Sequence, residues 1–426
     1  MRKLFFAVLI AGICSFAGAD GEETAHAVNL KNPVSQKGTV SFILETDTTY
    51  SNGLPGSSFG QTLFELPGLG KCILEKSLYA VFVYFQWEQA ETHNGFFIMF
   101  RELPGPQNYS FQFSWDAEKG LSEAYMNGIP VRTENVLYYK PWKVKGSTMQ
   151  AAVEKGANRV TDLKVLPVFM NKEEAAKLVP AELLGKAAHL IGPKSFSNAK
   201  KITGKKGRLL YSAELNNESS VKDWILEGPG KIEFKDGQLM MSSQIPNPPD
   251  GSTGHFNFWC PESFPNKIMV EWEFKPLSEM GVCHLFFAAA GKNGENVFDE
   301  SLPKRDGHFQ QYINDQINNY YVIYFSNRRL YRTTNFAAAW LVKSANASLL
   351  TLGPAPVKPG GKRFHKMRLI KDGAHIQLLA DGKVFLDYKD SDADRYGPAL
   401  KSGMISFRQM AVTTAAYRNF EVWELQ

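Results

Sequence analysis

Cysteine is scarce, with four in 426 residues, and one of these, Cys14, lies in the leading apolar stretch. The other three, Cys72, Cys260 and Cys283, are too few for a disulfide framework, and their spacing fits no zinc motif. They read as buried free thiols packing like small hydrophobes, with a single disulfide as the alternative. Long apolar runs are missing as well. Beyond the first nineteen residues nothing approaches the ~20 apolar residues that a transmembrane helix needs. A large net charge of either sign is missing too: the formal value of +5 is mild for this length. No segment combines a dense basic stripe with interleaved aromatics, which argues against a nucleic-acid partner. Glycine-rich phosphate loops are absent, since Gly291-Lys292-Asn293-Gly294 reads as a turn. No spacing of His, Cys, Asp or Glu singles out a metal site or a local nucleophile–base pair.

What is present begins with an export pattern. Arg2 and Lys3 precede an apolar run from Leu4 to Ile13, and Ala17-Gly18-Ala19 offers the small-x-small pattern of a signal-peptide cleavage site. Residues 1–19 are therefore expected to be a signal peptide, and the mature protein to be periplasmic or extracellular. Lipid attachment at Cys14 is the rival, disfavoured because Ile13 stands where a small residue is expected. The rest of the chain is too long for one core and suits two domains.

Aromatics make up 13% of the chain, with 30 Phe, 16 Tyr and 8 Trp. Strands favour them and sugar sites stack on them, so they support a fold and a ligand class together. Short apolar or alternating runs broken by glycine, proline and Asn-Gly or Asp-Gly pairs dominate throughout, which predicts an all-β chain. Thr39–Glu45, Ser77–Trp87, Gly95–Arg101 and Tyr109–Trp115 read as strands, and Asn127-Gly128 as a hairpin turn. One helix is predicted, over Lys172–Leu184, with Asn171 as its N-cap.

This order of elements, closed by "VTDLKVLPVFMNKEEAAKLV" (Val160–Val179), resembles a laminin-G-like domain of the concanavalin-A-like superfamily, over residues 27–185. Residues 186–208 hold seven Lys or Arg and no acid, with Gly192-Pro193 and Gly204 breaking any period, and read as a basic linker. The alternative is a basic strip that grips a polyanion. From Leu209 the strand pattern resumes and runs to the last residues. In "HKMRLIKDGAHIQLLADGKVFLDYKD" (His365–Asp390), a meander is expected to turn at Asp372-Gly373 and Asp381-Gly382.

Two stretches carry candidate chemistry. In "FWCPESFPNKIMVEWEF" (Phe258–Phe274), alternation puts Ile268, Val270, Trp272 and Phe274 on one face and Met269, Glu271 and Glu273 on the other. Two carboxylates at i and i+2 stand about 6–7 Å apart, a separation used in glycoside hydrolysis. The plain alternative is an acidic solvent face. In "DGHFQQYINDQINNYYVIYFSNRR" (Asp306–Arg329), Tyr321, Ile323 and Phe325 read as the apolar face of a strand, with Tyr320 and Tyr324 opposite. His308, Gln310, Tyr312 and Asn314 share one parity just upstream, and Arg328 follows. Such a face could bind sugar hydroxyls, stack on pyranose rings and meet a carboxylate. The same types suit β-elimination, with Tyr moving the proton and Arg, Asn or His neutralising a uronate. The plain alternative is a hydrogen-bonded, tyrosine-rich strand pair.

Residues 209–426 resemble the YesU-like family, through "FWCPESFPNKIMVEWEFKPL", "LFFAAAGKNGENVFDESL" and "DGHFQQYINDQINNYYVIYF". The resemblance implies a concanavalin-A-like jelly roll and a setting in the breakdown of plant or marine polysaccharides, without naming a reaction. The whole chain is thus expected to be two tandem concanavalin-A-like β-sandwiches, with one short helix closing the first. The resemblance marks Trp259, Glu271, Tyr312, Asp315, Tyr320 and Tyr324 as site positions, with Asn335 and Lys343 from a looser segment.

The expected catalytic set is Tyr320, Tyr324, Glu271, Glu273 and His308. The expected substrate-binding set is Trp259, Gln310, Tyr312, Asn314, Asp315, Arg328, Asn335 and Lys343. No cofactor is implied. A structural calcium, frequent in this superfamily, would leave no sequence trace if carbonyls and a lone Asp held it. Three functions remain open: a lyase or hydrolase acting on an acidic or algal glycan, a glycan-binding protein of a polysaccharide-utilisation system, and an adhesive surface protein. The expected partner in the first two is a polysaccharide or oligosaccharide.

Overall fold

The computed structural model describes residues 25–426 apart from 47–49, 52–58, 77–80, 89–94, 101, 104–106, 131–136, 139–140, 146–147, 154–157, 187–195, 197, 247–252, 314–315, 328–337, 345–346, 359–360 and 362. The expected signal peptide, residues 1–19, thus lies outside the described residues. The chain forms two antiparallel β-sandwiches, as the strand pattern predicts.

In the first sandwich, one sheet runs His26–Asn29, Gln150–Val153, Phe59–Leu66, Gly70–Lys76, Val81–Trp87, Gly95–Phe100. The facing sheet runs Ile129–Pro130, Leu121–Met126, Gln107–Asp116, Lys37–Thr46, Arg159–Leu166, with Leu137–Tyr138 beside Leu121–Met126. Alternate residues of each strand meet between them: Val40, Phe42 and Leu44 pack with Phe111, Phe113, Trp115, Phe85 and Trp87. Phe42 stacks on Phe111 at 5.3 Å, and Trp87 lies 6.0 Å from Trp115. Asn127 and Gly128 both take positive φ (49° and 75°), as a two-residue hairpin between right-twisted strands requires.

The helix is shorter than predicted, Lys172–Ala176, followed by turns. Its start follows the expectation: the Asn171 side chain accepts from Glu174 N while Glu174 returns a bond to Asn171 N. Pro180 cannot supply an amide donor to prolong it.

The second sandwich pairs a seven-stranded sheet with an eight-stranded one. The seven-stranded sheet runs Ile225–Glu227, Phe256–Phe264, Gly403–Gln409, Gly281–Gly291, Ile317–Asn327, Ala338–Lys343, Ser348–Pro354. The eight-stranded sheet runs Gly230–Lys235, Gln238–Ser243, Ala415–Leu425, Lys267–Pro276, His365–Asp372, His375–Ala380, Lys383–Lys389, with Lys206–Ala213 beside Ala415–Leu425. Its meander turns at Asp381-Gly382 as expected, both with positive φ. The other turn shifts by one residue: Asp372 pairs with His375, so the loop is Gly373-Ala374 and only Gly373 has positive φ.

The basic segment is not wholly a free linker. Gln377 accepts from Ile202 N and donates to Lys200 O, both at 3.0 Å, and Ile202 packs on Met269, Ile370 and Leu425. From Lys206 the chain is already a strand. Between the sheets lie Val270, Trp272, Phe274, Leu285, Phe287, Val322, Phe407, Tyr417 and their neighbours. Cys72, Cys260 and Cys283 are buried and free. Among the described residues no helix is long and apolar enough to cross a membrane.

Candidate functional site

The seven-stranded sheet is covered on both faces. Facing the partner sheet are Phe256, Phe258, Cys283, Leu285, Tyr320, Val322, Tyr324 and Phe407. Facing away are Trp259, Phe286, Tyr321, Ile323, Val342 and Met404, in a separate apolar cluster with Val297, Tyr312 and Ile313 from the segment that crosses this face. Alternation along each strand therefore places Asn257, His284, Ser406 and Arg408 on the outward face too.

Register turns these into rows. Asn257 stands opposite Arg408, and Arg408 opposite His284. The next row is Trp259, Ser406, Phe286 and Tyr321. His284 lies 5.8 Å from the Tyr321 ring. The Arg408 guanidinium sits over Tyr312 at 5.0 Å and over Phe309 at 5.2 Å, with His255 Nδ1 3.4 Å away. Ser406 Oγ, buried between Trp259 and Phe286 in its row, has no hydrogen-bond partner among the described residues. The result is a guanidinium, two imidazoles, an amide and a hydroxyl set among aromatic rings.

A segment from Val297 to Ile313 roofs this face, and one carboxylate ties it down. Glu227, from the edge strand, takes Arg305 at 3.0 Å, Trp259 Nε1 at 2.7 Å and the Tyr312 hydroxyl at 3.0 Å, all buried. Burial, and then the charge of Glu227, push the Tyr312 phenol well above its ordinary value. Gly307 makes the close crossing feasible: its φ is +95°, and a Cβ there would meet His255 O at 2.1 Å. The roof ends at an open rim. His308 and Gln310 are exposed, and Phe309 and Trp340 are half-buried.

The positions expected from sequence divide between several places. His308, Gln310 and Tyr312 do come to this face, but not through strand parity: Gln310–Ile313 is a helical turn, so His308 and Gln310 reach the rim while Tyr312 points inward. Trp259 is on the outward face, anchoring Glu227. Tyr320 and Tyr324 point between the two sheets, while Tyr321 takes the outward position. Tyr320 donates to Asp390 and accepts from Leu400 N. Burial, then the Asp390 bond, raise its phenol far above the ordinary range. Tyr324, raised by burial, pairs with the Tyr417 hydroxyl at 3.2 Å. Phenols so placed hold their protons at neutral pH and cannot reach the outward face. Lys343 completes the Tyr320 cluster, with Nζ donating to Asp390 at 2.8 Å and to the carbonyls of Gly397 and Pro398. That cluster clamps the 390–400 segment onto the sheet.

Glu271 and Glu273 lie on the outer surface of the other sheet, so they do not meet the tyrosines. Glu271 binds Lys206 and Arg368, each at 2.5 Å. Burial works to raise its carboxyl, but these two bonds outweigh it and hold it below its ordinary value. Glu273 stands opposite Lys366 and Arg418 across its neighbouring strands. A general acid needs the opposite tuning. Asn314, Asp315, Arg328 and Asn335 lie outside the described residues. Sequence reading missed Asn257, His255, His284, Arg305, Glu227 and Arg408. A visible signal was Arg408, a lone charge inside the apolar run "GMISFRQM". Among the described residues no three His, Cys, Asp or Glu converge as metal ligands would, so no calcium is assigned to side chains here.

An antiparallel jelly-roll sandwich with a roofed polar and aromatic face is the class of protein that this half defines. Residues 208–422 match the family described as a domain of unknown function, DUF1961, and the chain belongs to that family. It is 41% identical over 224 residues to the uncharacterized protein YesU of Bacillus subtilis (strain 168), covering 51% of this chain and 96% of that protein. Among solved structures it is similar to a protein of unknown function with a galectin-like fold from Bacillus subtilis, at 39% identity and a TM-score of 0.49, covering 52% and 99% of the two chains. Carbohydrate binding module CBM66 from Bacillus subtilis follows at 12% identity and a TM-score of 0.31, covering 47% and 96%.

Proposed function

We propose that the protein binds an acidic polysaccharide or oligosaccharide on the outward face of the seven-stranded sheet, outside the cytoplasm after loss of its leader. The observation that carries this reading is the row Asn257–Arg408–His284, buried beneath the crossing segment, with half-buried Phe309 and Trp340 and exposed His308 and Gln310 at its rim. Rings of this kind stack on pyranose faces, amides and imidazoles bind hydroxyls, and a guanidinium meets a carboxylate in two parallel bonds. Entry is from the rim formed by His308, Phe309, Gln310 and Trp340.

Cleavage by β-elimination at the same face is a second reading, favoured by the 5.8 Å approach of His284 to Tyr321 beside Arg408. Arg408 would stabilise the charge developing on a uronate, and His284 or Tyr321 would move the proton. Hydrolysis by the Glu271–Glu273 pair finds no support, because both carboxylates are on the other sheet beside cationic partners. Affinity electrophoresis of the purified protein through polygalacturonate, alginate, ulvan and neutral glucan gels tests the proposal. Retardation by a uronate polymer is expected, and uniform migration through all four would refute it. A rise in absorbance near 235 nm on the retarding polymer would add the lyase step.

A further inference from the structure

The first sandwich reaches the same face. In its first sheet Cys72, Leu74, Val83, Phe85 and Trp87 point into its own core, so Ile73, Phe82 and Tyr84 point out. An outward face of an antiparallel sheet is ordinarily polar and wet. Here Ile73 is 8% and Tyr84 2% exposed, and both belong to one apolar cluster with Trp259, Phe286, Tyr312, Tyr321 and Ile323 of the second sandwich, with Phe82 packed against it. Tyr84 also carries a polar group there, its hydroxyl donating to Glu75 at 3.0 Å. The 41%-identical relative, matched over 96% of its length by 224 residues, has no room for a counterpart of this sandwich.

We infer that the first sandwich is a wall of the glycan site and not a tethered module: Ile73, Phe82 and Tyr84 seal the outward face by packing on it, so that a glycan reaches it from the rim. This rests on the glycan reading above and extends it to the residues that bound the site. An apolar wall opposite a polar row suits a pyranose ring, which has an apolar face and a polar edge.

The test uses the full chain and two variants, Ile73→Asp combined with Tyr84→Ala, and Phe82→Ser alone. All three substitutions lie outside the first core, so circular dichroism is expected to be unchanged. Small-angle scattering reads docking, and affinity electrophoresis reads binding. The expected result is a compact wild type, an extended double variant, and at least tenfold weaker retardation for the double variant, with a smaller loss for Phe82→Ser. Unchanged or tighter binding by an extended variant would overturn the inference and make the first sandwich a cover. A wild type already as extended as the double variant would overturn it too. If the wild type binds no glycan, the functional reading falls by itself. Scattering then decides the wall alone: compact against extended upholds the docked face, and equal envelopes refute it.

Discussion

Trp259 Nε1 donates to the Glu227 carboxylate at 2.7 Å, and both are buried under the roof of the seven-stranded sheet. With the Tyr312 hydroxyl also donating to Glu227, this carboxylate holds the edge strand, its neighbouring strand and the crossing segment to one point. Glu227 also neutralises Arg305 at 3.0 Å. Removing one partner of a buried pair leaves the other charge uncompensated and costs about 3–5 kcal/mol. Glu227→Ala is therefore expected to lower the unfolding free energy by that amount, seen as a lower urea midpoint, and the double change with Arg305→Met to recover part of it. Equal midpoints for wild type and Glu227→Ala would contradict the anchoring role.

Tyr320 faces the core and Tyr321 the site. Tyr320→Phe removes the bond to Asp390 and should cost about 1–3 kcal/mol, leaving the acceptor buried beside Lys343, without changing glycan retardation. Tyr321→Phe should do the reverse. Chemical denaturation and gel migration of the two variants check the assignment together.

Asp381 is a pH-dependent clasp at the turn of the meander. Burial works against its charge, but Arg363 at 2.7 Å, His365 at 2.8 Å and Lys366 N outweigh it and bring the carboxyl down to about 2. A lowered carboxyl stabilises the fold above its unfolded value, near 4, and loses that contribution as pH falls towards 2. Asp381→Asn, which keeps a residue tolerant of positive φ, should show a stability deficit that is constant above about pH 4–5 and shrinks towards pH 2. A deficit independent of pH down to 2 would show that the carboxylate charge is not what matters.

Cys72, Cys260 and Cys283 should resist alkylation in the native protein at pH 8. Burial raises all three thiols, Cys260 to about 12, and the thiolate is the reactive form. Peptide mapping after iodoacetamide treatment, with and without denaturant, reads this directly. Labelling of Cys283 in the folded protein would mean that the second core opens.

Period-two alternation made the strands legible, and positive-φ pairs such as Asn127-Gly128 and Asp381-Gly382 made several hairpins legible. The same alternation grouped Tyr320 with Tyr324 and Tyr321 with Ile323 correctly, yet assigned the two groups to the wrong sides. The physical reason is that this sheet is buried on both faces, between the partner sheet and the roof. Hydrophobicity then carries no contrast between inside and outside. The helical turn at Gln310–Ile313 was hidden by its length, since four residues give no 3.6-residue period. Glu227, Arg305 and Arg408 come from separate strands and a loop, and only tertiary pairing brings them together.

The most direct test of the account is the affinity of wild type and Arg408→Lys for a uronate oligosaccharide by isothermal titration, with circular dichroism confirming the fold. Lysine keeps the charge but not the planar fork that stacks between Phe309 and Tyr312 and binds a carboxylate in two places. The account predicts at least a tenfold loss of affinity for the uronate ligand in a folded variant. A folded Arg408→Lys that binds the uronate as tightly as the wild type would contradict it.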